Sequence, residues 1–167
     1  MSLNKKTLIE FLEELDKEAK KPMIIVAVGG TAMTLVNAKP STLDVDFTIA
    51  QGYDEFSRLL KEIPHGFNVD HYQDGVVFTQ MLPDDYVKKS KKIKKMRNIT
   101  LMTLDPLDII VTKIGRLNER DTEDIKTCIK KFKITKSQIK SRAAKIGYAG
   151  NETVYQNNLD YVLKNFF

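Results

Sequence analysis

One cysteine, Cys128, and two histidines are all that this chain of 167 residues offers for disulfide or soft-metal chemistry. A lone cysteine cannot close an intrachain bridge, and no His/Cys group shows the spacing of a metal cluster, so a stapled or zinc-built fold is excluded. No apolar run approaches the roughly 20 residues of a membrane span. The first residues do not form a signal peptide either. Leu8, Phe11, Leu12, Leu15 and Ala19 recur at helical spacing among acids and lysines, which predicts an amphipathic helix. Repeats and low-complexity stretches are missing. A hydrophobic fraction of 42% with 29% charged residues suits a soluble globular domain, and a cytoplasmic location is expected.

The formal charge of +5 is mildly basic and makes a polyanionic partner plausible. Much of it sits in one run: Lys88, Lys89, Lys91, Lys92, Lys94, Lys95 and Arg97. Such a run is either a solvated segment or a site for nucleic acid or a triphosphate. No aromatic residue interrupts it, so it carries no base-stacking platform of its own.

Met23 to Val28 is a continuous apolar run of strand length, closed by Gly29-Gly30, and reads as a strand buried on both faces. A short helix over Thr31 to Ala38 should follow. Leu43 to Ile49 alternates apolar and polar residues, the pattern of a half-buried strand. Tyr53 to Ile63 is an amphipathic helix. Phe67 to Tyr72 and Val76 to Leu82 read as a hairpin turning at Asp74-Gly75. Residues 83–97 carry no assignable pattern, and Ile99 to Leu104 is a further strand.

Beyond Asp105 the chain reads as helical. Asp105-Pro106 is a helix start, with Leu107, Ile110, Ile114 and Leu117 as its buried stripe. Asp121 and Asp124 fall where N-cap and N3 of a second helix are expected. Thr135 and Gln138 form a capping box for a third helix ending at Gly147, and the last runs from about Glu152 to Phe166. The predicted class is α/β (α+β): a small mixed sheet flanked by helices over 1–104, then a helical part over 105–167 packed on it, with a soft boundary.

Two neighbouring devices carry chemistry. The Gly29-Gly30-Thr31 turn lets backbone approach a phosphate at a helix N-terminus. Asp44 and Asp46, two apart on a strand, project from one face. Paired carboxylates repel unless a cation lies between them, and Mg²⁺ sites use one or two carboxylates with substrate phosphates and water.

A hydrophobic strand, Gly-Gly, about ten residues and then Asp-x-Asp resembles the nucleotidyltransferase superfamily of the polymerase β type in its minimal form. Within it the motifs are most similar to abortive-infection (AbiEii-like) nucleotidyltransferases, toxins of type IV toxin–antitoxin systems, and their short relatives. The matching residues are Gly29, Gly30, Thr31 and Ala32, then Asp108 to Lys113 as Asp-x-x-x-x-Lys, then Arg120-Asp121 and Asp124. The toxins are usually longer after this point.

The resemblance implies a nucleotidyltransferase fold and transfer of a nucleoside monophosphate from an NTP to a hydroxyl. It implies Asp44, Asp46 and a third carboxylate as ligands of one or two Mg²⁺. Asp70, on the strand face opposite Val69, is the candidate for the third, and also for the base. Gly29, Gly30, Thr31, Lys113 and Asp121 would serve the nucleotide. Read without the resemblance, Asp121 is a cap, and Lys113, Arg116 and Arg120 share a solvated helix face with Lys113 exposed. The acceptor is expected to be RNA or a protein, with an antitoxin as a further partner. A small-molecule acceptor of the antibiotic-modifying kind, or a non-enzymatic nucleotide- or RNA-binding domain, are the competing readings.

Overall fold

A computed structural model describes residues 2–167. Its main sheet has five strands in the order β3 (Val69–Gln73), β2 (Val45–Gln51), β1 (Met23–Ala27), β7 (Ile99–Thr103) and β6 (Lys91–Lys95). Helix α1 (Lys5–Glu18) is capped by the Asn4 side chain and buries Leu8, Phe11, Leu12 and Leu15, the stripe its spacing predicts. Asp16 on α1 accepts the backbone N–H groups of Asn98 and Ile99, which ties the helix to the start of β7 (Ile99–Thr103). Strand β1 (Met23–Ala27) is central, antiparallel to β2 (Val45–Gln51) and parallel to β7. A strand paired on both sides and covered on both faces needs continuous apolar sequence.

Helix α2 (Gly29–Leu35) starts two residues earlier than predicted, because Gly29 takes φ +56 and swings the chain straight from β1 into the helix. Strand β2 departs from the half-buried reading. All of Val45 to Ile49 is buried, including polar Asp46 and Thr48. The Thr48 hydroxyl donates to the Gln73 carbonyl and accepts the Gly75 N–H, so the turn after β3 (Val69–Gln73) covers this face. After β2, helix α3 (Tyr53–Glu62) crosses over and returns β3 parallel to β2, with Asp46 opposite Asp70.

The hairpin expected between residues 67–72 and 76–82 is not formed. Gly75 does turn the chain at φ +81, but β3 spends its pairing on β2. Strand β4 (Val76–Val77) instead pairs with β5 (Gln80–Met81) across Phe78-Thr79, in a second, three-stranded sheet completed by β8 (Gly147–Tyr148). The unassigned stretch becomes a short helix α4 (Tyr86–Lys89) and strand β6 (Lys91–Lys95), antiparallel to β7. Lys91, Lys92, Lys94 and Lys95 of the basic run therefore lie exposed on a sheet edge with an irregular register after Lys92, while Lys88 and Lys89 belong to α4. Lysines and bulges on an edge strand oppose pairing with other chains.

Helix α5 (Pro106–Lys113) has its predicted Asp105 cap, but it is buried nearly all round rather than along one stripe. It lies among α2, α6 (Glu119–Phe132) and α7 (Lys136–Ala143). The Asp108 carboxylate, wholly buried, receives two hydrogen bonds from Arg142 of α7 at 2.6 and 2.9 Å. That fork locks α7 onto α5, and it holds the Arg142 guanidinium well above its ordinary pKa. Helix α7 stops at Ala143, short of Gly147, which enters β8. Helix α8 (Glu152–Asn165) closes the chain by burying Tyr155, Leu159 and Val162. Among the described residues no helix is long and apolar enough to cross a membrane.

Candidate active site

A cleft of about 400 Å³ opens where the ends of β2 and β3 meet the α5–α6 connection. Its wall on the sheet side is made by Asp44, Asp46 and Asp70. Asp44 lies just before β2, Asp46 is its second residue, and Asp70 is the cross-strand partner of Asp46. Parallel pairing through the α3 crossover is what brings Asp70 there. Asp70 is exposed, whereas Asp46 is only 6% exposed.

The glycine turn packs directly behind this wall. A Cβ on Gly29 would stand 3.4 Å from the Asp46 carboxylate, and one on Gly30 would meet the Thr42 hydroxyl at 2.8 Å. Of the three turn residues only Gly30 lines the cleft. Thr31, wholly buried, accepts the Asp46 N–H at 2.9 Å and donates to the Asp44 carbonyl at 3.2 Å. Its hydroxyl is thus spent on the backbone that presents both aspartates. Thr42 donates to the same Asp44 carbonyl at 2.8 Å and is held by reciprocal backbone bonds to Leu3.

The opposite wall is cationic, and here the helix reading fails. Lys113, Arg116 and Arg120 do not share a helix face: α5 ends at Lys113, the chain turns through Gly115 to Leu117 at φ +48, and α6 begins at Glu119. Its N-cap is Asn118 rather than Asp121. Asp121 is N3 and completes a capping box, while Asp124 lies one turn deeper. Asn118 caps better than a residue inside the helix because only the flanking position has extended backbone. Lys113 is buried, not exposed as expected. Its ammonium sits 2.9 Å from Asp124 and 3.4 Å from Asp121. Arg116 forks onto Asp121 at 2.7 and 2.9 Å, and Lys39 reaches Asp124 at 2.9 Å.

The two walls differ electrostatically. Burial pushes the Asp121 carboxyl up, but the Arg116 hydrogen bonds and the Lys113 charge outweigh it and leave the pKa lowered. Asp46 moves the other way, to about 6, through burial first and then the charges of Asp70 and Asp44. The Tyr72 hydroxyl is raised to about 12, by burial and then by the charges of Asp46 and Asp70. In all, five carboxylates and four cations line the cleft, counting Lys39, Lys113, Arg116 and Arg120. Three of the cations are already matched by Asp121 and Asp124, so a triphosphate entering beside Asp44, Asp46 and Asp70 would need further positive charge.

That need fits a hard divalent cation. The donors are carboxylate oxygens, the ligand type Mg²⁺ prefers, and their mutual repulsion adds to the burial that raises Asp46. Among the described residues no group of three or more His, Cys, Asp or Glu side chains is placed to hold a metal ion, so Asp44, Asp46 and Asp70 do not form the three-carboxylate site the resemblance implies. An open two-carboxylate site completed by phosphate and water matches Mg²⁺ chemistry.

Lys39, Arg142 and Phe78 carried no sequence signal. Lys39 stands alone in a loop, Arg142 sits on a polar helix, and Phe78 occupies a turn. Their partners are distant in sequence. His71 faces away from the cleft, bonded to Ser57 at 2.7 Å and packed on Tyr53 and Phe56, with its pKa lowered by burial.

Residues 4–161 match a family model described as nucleotidyltransferase of unknown function (DUF6036). No curated protein and no solved structure matches the chain.

Proposed function

Because the chain belongs to this family of nucleotidyltransferases of unknown function, we propose that its cleft transfers a nucleoside monophosphate from an NTP to a hydroxyl, with Mg²⁺ bound by Asp44 and Asp46. The observation that carries the reading is the register of β2 and β3, which puts Asp70 opposite Asp46 at the cleft floor, in front of the glycine turn. Bound there, Mg²⁺ would supply charge neutralisation and orientation of the phosphates.

The chain's own residues have separable tasks. Gly30 gives the phosphates close access to the start of α2. Arg116, Arg120 and Lys39 offer positive charge from the far wall, Arg116 through the Nη1 group that its fork onto Asp121 leaves over. Lys113 and Asp121 act at one remove: Lys113 holds Asp121 and Asp124, and Asp121 aims Arg116. Asp70, exposed to an incoming acceptor, takes the proton from its hydroxyl. The acceptor oxygen then bonds the α-phosphorus, the bond to the bridging oxygen breaks, and pyrophosphate leaves.

The acceptor in this proposal is a macromolecule, RNA or protein, supported by the exposure of Asp70 at the cleft and the exposed basic edge at β6. The motif likeness to the abortive-infection enzymes extends the proposal to a toxin role with a matching antitoxin. Incubation with each labelled NTP, Mg²⁺ and cell lysate should label RNA or a protein band. Label in small molecules alone would move the acceptor to that class, and no label with any NTP would remove the enzyme reading.

A further inference from the structure

Among the described residues that line the cleft one is aromatic, Phe78, and it stands outside the hydrophobic core. Phe78 is 37% exposed in a site otherwise lined almost entirely by charged and polar groups. It is the first central residue of the two-residue β4–β5 turn, at φ +54, where such turns normally take glycine. A bulky residue in left-handed backbone is uncommon, and strain of this kind collects at functional sites.

The surroundings hold the ring in place. The Arg116 guanidinium lies over it, 4.9 Å from the centroid, and is itself fixed by the fork to Asp121. The Tyr72 ring meets it edge-on at 5.7 Å. Two residues on, the buried Gln80 amide fills the space that a side chain at Gly115 would need. The turn that carries Phe78 is thereby docked on the turn that carries Arg116.

We propose that Phe78 is the nucleobase platform of the site: the base of the bound NTP stacks on the ring surface that Arg116 leaves open. This rests on the nucleotidyltransferase reading and adds to it where the nucleoside lies. Every base has a π face, so stacking binds all four NTPs without strong choice among them. Arg116 links the two ends of the nucleotide: its fork stays on Asp121, its Nη1 serves the phosphates, and its flat face lies on the ring beneath the base.

The test measures binding of the four NTPs and of inorganic tripolyphosphate, each with Mg²⁺, to wild type, Phe78→Ala, Phe78→Gly and Phe78→Trp. Wild type should bind every NTP more tightly than tripolyphosphate. Phe78→Ala and Phe78→Gly should weaken NTP binding at least about fivefold, the loss expected when a stacking aromatic is removed. Their tripolyphosphate affinity should stay within about twofold of wild type. Phe78→Trp should restore NTP binding. Glycine suits the φ of this position, so Phe78→Gly should keep the wild-type melting temperature and separates loss of a platform from loss of fold. Equal NTP affinity in wild type and Phe78→Gly would overturn the platform while leaving the nucleotidyltransferase reading intact. An equal fall for NTP and tripolyphosphate would do the same, because the residue would then be shaping the phosphate site. A wild-type protein that binds neither ligand would overturn both.

Discussion

Replacing Asp46 by Asn removes one negative charge and hardly changes the shape of the side chain. With the folded pKa near 6 against the ordinary 3.8, ionising Asp46 in the native state costs about 3 kcal/mol. Part of that is not recovered in the variant. A buried amide still needs hydrogen-bond partners, and the charge of exposed Asp70 is partly screened by water. A net gain of about 1–2 kcal/mol is expected, or roughly 2–8 °C in melting temperature for a chain of this length. The sign with pH follows from the direction of the shift. A carboxyl with a raised folded pKa binds its proton more tightly in the native state, so wild-type stability carries no penalty below about pH 4. It declines as pH rises through about 6. Asp46→Asn should lack this decline. Melts in chelator at pH 5 and pH 8 read the effect directly, and the advantage of the variant should be larger at pH 8. Adding Mg²⁺ and NTP should then reverse the order. Wild type should gain about 2.7 kcal/mol at a hundredfold excess over Kd, and the variant much less, with transfer activity abolished. An advantage for Asp46→Asn that is the same at both pH values, or a decline that survives in the variant, would refute the account of a strained carboxylate.

Thr31→Val should cost about 1–3 kcal/mol, because the buried Asp46 N–H loses its acceptor; Thr31→Ser should recover most of the loss in urea denaturation and in activity. Lys113→Met should destabilise by about 3 kcal/mol, since it leaves Asp121 and Asp124 as buried carboxylates short of a partner. An unchanged denaturation midpoint for Lys113→Met would return that residue to a solvated surface. Gly115→Ala puts a methyl 2.1 Å from the Gln80 amide nitrogen and should cost about 1–3 kcal/mol while disturbing the Phe78–Arg116 contact. Calorimetry should show the loss, and a wild-type melting curve would mean that the Gln80 side chain moves aside freely.

Local rules proved readable wherever the deciding partner lay within a few residues. Asp105-Pro106 starts a helix because the cap and the missing N–H act within one turn. Thr135 and Gln138 satisfy each other's backbone three residues apart. Where the partner was distant, the sequence misled. Residues 67–82 hold a good turn, yet strand pairing is settled by competition, and β2 outbid the next segment for β3 once α3 had carried the chain across. Lys113 looks like any lysine at a helix end, and only the return of α6 buries it. The basic run became a protected edge because β7 had no other neighbour on that side.

Sequence alone determined the glycine turn, the Asp44/Asp46 spacing and the apolar central strand, since each depends on backbone geometry that a few adjacent residues set. Tertiary structure alone decided that Asp70 faces Asp46, that Arg142 neutralises Asp108, and that Phe78 lies under Arg116. Those pairs are 24, 34 and 38 residues apart along the chain. No local propensity acts over such separations. They are set by which packing buries the most apolar surface while giving buried charges such as Asp108 and Lys113 a partner.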